Sequence, residues 1–220
     1  MQIHHDSESL FLQGPAGQLE AIPWIPTRAG APELAAVLCH PHPLFGGTLH
    51  NKVVYHTAKT LDAFGIPVLR FNFRGAGLSA GTHDRGDGER GDAKAAIDFL
   101  ALEFPNIPLL LGGFSFGSWV GLRVGCDDGR VSELLGLGIP VNTSSFEHLE
   151  SCAKPKLIVQ GAEDEHGARE TVEQLVSRMA GENRLVFVPD AGHFFTGHLE
   201  ELDQAISNWL MERHPNLKRR

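Results

Sequence analysis

The stretch Leu109-Leu-Leu-Gly-Gly-Phe-Ser-Phe-Gly117 restricts this chain more than any other. An apolar run ends in Gly-Gly, turns over Ser115 and continues into Ser118-Trp-Val-Gly-Leu-Arg-Val124, the pattern of a buried strand giving way abruptly to a helix. Gly113 to Gly117 fits G-x-S-x-G. A serine on so sharp a strand-to-helix turn needs glycine on both sides, because a side chain there collides with neighbouring backbone. The turn lifts the hydroxyl clear of the sheet, and the helix start favours negative charge beside it.

The flanking chain supplies a sheet for that turn. Leu10–Gln13 and Gln18–Ile25 surround Gly14-Pro15 and Gly17 and read as an antiparallel hairpin. Strands are expected at Leu34–Cys39, Ile66–Phe73, Leu134–Ile139, Lys156–Gln160 and Arg184–Val188. Helical stripes separate them: Val54, Ala58, Leu61 and Phe64, then Ala93, Ala96, Ile97 and Leu100 behind a cap at Asp92 and a loop over 82–91. Val172, Leu175, Val176 and Met179 form a further stripe, and Leu199, Leu202, Ile206, Trp209 and Leu210 the last. Alternating strand and helix after a hairpin predicts an α/β fold of one domain over 1–220, with a mostly parallel sheet covered on both faces.

Reactive groups on such a sheet belong at the carboxyl ends of its strands. Ser115 stands at one such end. A serine hydroxyl needs a base, and the base an orienting group. Among 12 histidines, His193 lies just beyond the last strand, in Pro189-Asp-Ala-Gly-His-Phe-Phe195. Gly161-Ala-Glu-Asp-Glu-His166 follows the strand Lys156–Gln160, and Asp164 is the turn residue there, with Glu163 and Glu165 read as solvated. The order Ser115, Asp164, His193 is that of an α/β-hydrolase triad. For the oxyanion, the amide of Phe116 is one expected donor. The other comes from His40-Pro-His-Pro-Leu-Phe-Gly-Gly47, where the prolines lack N–H and leave His42 or Leu44, with His42 favoured between its two φ-locked neighbours.

Other chemistries fit less well. His40 and His42 have no carboxylate or cysteine at ligand spacing, so no metal is expected. Gly75-x-Gly77 lacks the third glycine of a dinucleotide loop, no G-x-x-x-x-G-K-[ST] occurs, and no cofactor is expected. A net charge of −8 disfavours nucleic acid and anionic membrane as partners. No run is long enough to span a bilayer. Met1 to Glu8 lacks the form of a secretory signal, Lys218-Arg219-Arg220 reads as a frayed basic end, and Cys39, Cys126 and Cys152, odd in number and far apart, suggest a reducing cytoplasm. Arg74 either reaches the site or pairs with a carboxylate from the 82–91 loop. Oligomeric state is not legible.

Over nearly its whole length the chain resembles the α/β-hydrolase superfamily, in particular small lidless bacterial hydrolases with a His-Pro-His-Pro-x-x-Gly-Gly loop, akin to dienelactone-hydrolase-like proteins. His40–Gly47 with Asn51-Lys-Val-Val54, Phe73–Ser79, Gly113–Gly117, Gly161-x-x-Asp164 and Gly192-His193-Phe194 carry the resemblance. It implies a serine hydrolase acting on small esters. Dienelactone hydrolases proper use cysteine where Ser115 stands, so ring-opening of dienelactones is not implied. Relatives often insert a helical cap after the strand that follows the nucleophile helix. Pro140 to Lys154 leaves room for a loop and one short helix, so an open pocket is expected, walled by Leu44, Phe45, Phe116, 141–150 and Phe194. Thioesterases and peptidases use the same groups, and a non-catalytic binding member of the fold is the reading from another class. Covalent labelling of Ser115 separates it from the enzymes.

Overall fold

The computed structural model describes residues 9–26 and 31–219. Its framework is an 8-stranded sheet. The hairpin β1 (Leu10–Gly14) and β2 (Gly17–Trp24) opens it, followed by β3 (Ala35–Cys39), β4 (Val68–Phe71), β5 (Leu109–Phe114), β6 (Val131–Leu137), β7 (Lys156–Gly161) and β8 (Asn183–Val188). Their order is β1-β2-β4-β3-β5-β6-β7-β8. The hairpin pairs antiparallel, and β2 joins β4 antiparallel; every pairing from β4 onward is parallel.

Helices α1 (Lys52–Ala63), α2 (Asp87–Glu103), α3 (Phe116–Asp127), α4 (Arg169–Arg178) and α5 (Leu199–Arg213) cover the two faces. The strand period of two sorts the side chains. Ala35, Val37 and Cys39 face a core with Ala93, Ile97 and Leu100 of α2, Val120 and Leu122 of α3, and Val172 of α4. Ala36 and Leu38 face the opposite core, with Val54 and Leu61 of α1 and Ile206, Trp209 and Leu210 of α5. Each fully buried Leu, Ile or Phe contributes about 1.5–3 kcal/mol relative to exposure.

Several boundaries differ from those expected. Strand β4 is shorter than Ile66–Phe73, and β6 begins at Val131 and ends at Leu137, earlier than Leu134–Ile139. Helix α2 starts at Asp87 instead of at an Asp92 cap, because the Glu89 carboxylate accepts N–H bonds from Asp84 and Gly86 and closes the helix start there. Asp92 is buried inside α2 and holds Arg74 in a bidentate pair at 2.9 and 2.8 Å. That decides the Arg74 alternatives in favour of a carboxylate, though from the helix and not the loop.

The C-terminal tail is not wholly frayed: Arg219 reaches Asp203 and Ser207 on α5. Met1 to Glu8 and Arg220 lie outside the described residues. Cys126 and Cys152, 26 residues apart, form a disulfide with Cα atoms 5.5 Å apart, so distance along the chain misjudged distance in space. The cysteine spacing therefore loses force as a sign of a reducing compartment. No helix among the described residues is long and apolar enough to cross a membrane.

Candidate active site

Ser115 is held at φ 54°, ψ −123°, a region that a non-glycine residue enters only under local strain. The strand carbonyls and the helix together enforce it. Ser115 N–H donates to Leu137 O at 2.9 Å across the β5–β6 edge, while Ser115 O accepts from Ser118 and Trp119 in the first turn of α3. A Cβ at Gly113 would overlap the Gly117 carbonyl, and one at Gly117 would overlap the carbonyls of Cys39 and His40. The second glycine thus seats the start of α3 directly against the end of β3.

His193 lies 2.9 Å from Ser115 Oγ through Nε2, and its Nδ1 is 2.8 Å from Asp164 Oδ2. An ionised carboxylate only accepts, so Nδ1 carries the proton, Nε2 presents a lone pair, and the serine hydroxyl donates to it. Both His193 and Asp164 are buried. The carboxylate takes two further bonds, from Gln160 Nε2 at 2.7 Å and from His166 N–H at 2.8 Å. Phe114 and Phe194 flank the imidazole at 5.0 and 5.1 Å between ring centres. Ser115, Asp164 and His193, expected from three distant stretches, are brought into one hydrogen-bonded line.

The loop after β3 is anchored by His40, which is fully buried. Its Nδ1–H donates to Pro41 O at 2.6 Å, and its Nε2 accepts from Phe73 N–H at 2.9 Å. Burial pushes this imidazole down to about 4, so it stays neutral and keeps both roles. Both ring nitrogens face protein partners. In the turn Pro43–Phe45, Leu44 N–H donates to His42 Nδ1 at 3.3 Å. The His42 N–H has no acceptor among the described residues, nor does that of Phe116 at the start of α3. Of the two loop amides weighed from sequence, only that of His42 is therefore free to serve a ligand. Burial and the neighbouring His83 hold the His42 imidazole below its ordinary range.

A cavity of about 360 Å³ opens over Ser115. Phe45, Phe116 and Phe194 line it, together with Thr143 and Ser144 from the segment before β7. Leu44 does not; it is 70% exposed, because it sits in the middle of the short turn Pro43–Phe45, none of whose residues is buried. The segment from Pro140 to Lys154 holds a turn over 141–143 and one short 3-10 helix, Glu147–Glu150, and no cap.

Gln160, Asn51 and His166 at this site escaped the sequence reading. Gln160 left a signal, an amide inside an otherwise apolar strand. His166 was visible only as the end of an acidic run, and Asn51 only within a stretch that carries the resemblance. Among the described residues no group of three or more His, Cys, Asp or Glu is placed to hold a metal ion.

Residues 45–210 match the family described as alpha/beta hydrolase domain. An alpha-beta serine hydrolase homologue from Coxiella burnetii is 38% identical, with a TM-score of 0.89 over 96% of this chain and 100% of the other. A protein of Xanthomonas campestris, described as an α/β serine hydrolase without lid, is 34% identical, with a TM-score of 0.87 over 96% of each chain. An uncharacterized protein of Rickettsia prowazekii is 36% identical over 216 residues, covering 94% of this chain and 90% of that one.

Proposed function

Because the chain belongs to the alpha/beta hydrolase family, we propose that it is a serine hydrolase of small carboxylic esters that works through an acyl-enzyme. The observation that carries this reading is the line Ser115 Oγ, His193 Nε2 and Nδ1, Asp164 Oδ2, with separations of 2.9 and 2.8 Å.

In this reading Ser115 Oγ attacks the ester carbonyl as His193 Nε2 takes its proton, and Asp164 stabilises the imidazolium that forms. The carbonyl oxygen gains negative charge between the N–H groups of His42 and Phe116, which have no other acceptor among the described residues. His193 then passes the proton to the leaving alkoxide. Water repeats the sequence on the acyl-enzyme, and Ser115 is released. The strain at Ser115 holds its oxygen over the cavity before substrate arrives, so little reorganisation is left for the reaction itself.

A fluorophosphonate probe tests the proposal. Wild-type protein is expected to gain one covalent adduct, mapped to Ser115, and to hydrolyse p-nitrophenyl acetate. Ser115→Ala is expected to melt within a few degrees of wild type, take no label and lose turnover. An unlabelled, folded and inert wild-type protein would point instead to a binding member of the fold.

A further inference from the structure

The cavity is lined without any aspartate, glutamate, lysine or arginine among the described residues. Its titratable groups are the imidazoles of His42, His166 and His193. No fixed countercharge therefore awaits a charged substrate group. Several polar side chains nonetheless face the space with hydrogen-bonding capacity that the protein does not use. Asn51 spends Oδ1 on the Val53 N–H at the start of α1, and its Nδ2 has no partner among the described residues. Ser144 Oγ likewise has none, and Thr143 Oγ1 makes one long bond, 3.3 Å, to Pro140 O.

His166 is the best placed of these groups. Its backbone is fixed on both sides: N–H donates to Asp164 Oδ1 at 2.8 Å, and its carbonyl accepts from Asn142 N–H at 3.1 Å. The ring stands edge-on to His193, with centres 4.5 Å apart and planes at 67°. Neither ring nitrogen has a hydrogen bond among the described residues, and the nearest carboxylate oxygen, Glu165 Oε1, is 3.7 Å from Nε2. A backbone-pinned imidazole with unspent nitrogens, in the wall of a reactive cavity, is placed to read a polar group.

Its position says which half of the substrate it meets. In the proposed reaction the leaving oxygen takes its proton from His193 Nε2, so the alcohol portion lies on the His193 side, against His166 and Phe194. The acyl portion lies away from that pair. We propose, resting on the ester-hydrolase reading, that this side of the cavity is a subsite for a neutral, hydroxyl-bearing leaving alcohol. His166 is its specificity-determining residue, and the hydroxylated side chains of Thr143 and Ser144, next to Asn142 whose N–H donates to the His166 carbonyl, line the same cavity.

The test compares two esters of one acid, glyceryl monobutyrate and propyl butyrate, whose alcohols share a carbon skeleton and differ only in hydroxyl groups. Wild-type enzyme is expected to favour the glyceryl ester in kcat/KM by about tenfold, the scale of one or two hydrogen bonds between neutral groups. The preference is expected mainly in KM. His166→Leu should bring the ratio to within about twofold of unity, and His166→Gln, which restores hydrogen-bonding capacity, should recover part of it. The side chain is 47% exposed, so neither change disturbs a core. A wild-type ratio near one, or a ratio unchanged in His166→Leu, overturns the subsite while leaving ester hydrolysis standing. Failure of wild type on both esters and on p-nitrophenyl butyrate overturns the hydrolase reading and the subsite with it.

Discussion

Gln160 Nε2 donates to Asp164 Oδ2 at 2.7 Å, while Gln160 Oε1 accepts from Ile139 N–H at 2.8 Å. The amide is thus fixed in one orientation and ties the carboxylate to the strand beside it. Gln160→Met keeps the length and removes the donor. Expected are a loss of about 1–3 kcal/mol in stability for the orphaned partners and a fall in kcat with KM little changed. Urea unfolding and steady-state kinetics check the pair of effects; a shift in KM alone would mean the amide serves only packing.

Asp164→Asn is expected to lower kcat by roughly 10⁴-fold, since the imidazole loses the group that fixes its tautomer. Glu163 and Glu165 are exposed, and neither makes a side-chain hydrogen bond among the described residues. Changing either to Gln should leave kcat within about twofold, the scale of a surface substitution. A damaging glutamate change paired with a mild Asp164→Asn would reassign the orienting acid.

At Gly117 the two halves of the proposed oxyanion site touch through backbone, with no room for a Cβ between α3 and the carbonyls of Cys39 and His40. Gly117→Ala must separate them. It is expected to cost about 1–3 kcal/mol in stability and to lower kcat by about 100-fold through displacement of the His42 and Phe116 donors. Thermal melting together with kcat distinguishes this from simple misfolding, and an active, stable variant would sink the proposed placement.

His40 links folding to acidity. Its unfolded form takes up a proton near pH 6.5, whereas in the fold burial holds it down to about 4. Between those values the unfolded state binds more protons, so stability falls as pH drops through that window. The full effect is about 3 kcal/mol. His148, also pushed down to about 4 by burial, adds in the same direction. Denaturant midpoints between pH 7 and 4 should fall in wild type. In His40→Gln the slope should be shallower by up to one proton, about 1.4 kcal/mol per pH unit. Parallel curves for the two proteins would contradict the buried neutral imidazole.

A cavity of about 360 Å³ without a cap offers few methylenes a dry surface. Each buried methylene contributes about 0.8 kcal/mol, so kcat/KM across p-nitrophenyl esters should climb through about two to six carbons and then level off. A steady rise to palmitate would reveal an acyl channel that these walls do not contain.

Much of this was legible because local chemistry and global position agree. Ser115 needs the two flanking glycines, and the chain supplies them between an apolar strand and a helix. His193 and Asp164 follow their strands at the end where such sheets present reactive groups. What escaped depended on contacts between distant segments. Asp92 reads as a cap from sequence because its partner, Arg74, lies on a distant loop. Leu44 reads as a pocket wall because it is apolar and beside the site, but its place in an exposed turn leaves no apolar pattern in the sequence. His166 and Ser144 come to line one cavity only through folding, and nothing in their neighbours announces it.

The bridge from Cys126 at the end of α3 to Cys152 encloses β6 and the cavity wall in a covalent ring with a sequence separation of 26. Tension applied to the two chain ends runs through the sulfur atoms and bypasses everything between them. In a pulling experiment the oxidised protein would therefore release roughly 90 Å less contour than the reduced one, at about 3.4 Å per extended residue. Threonine and serine lining the mouth would stay looped together after the rest of the sheet had been drawn out straight.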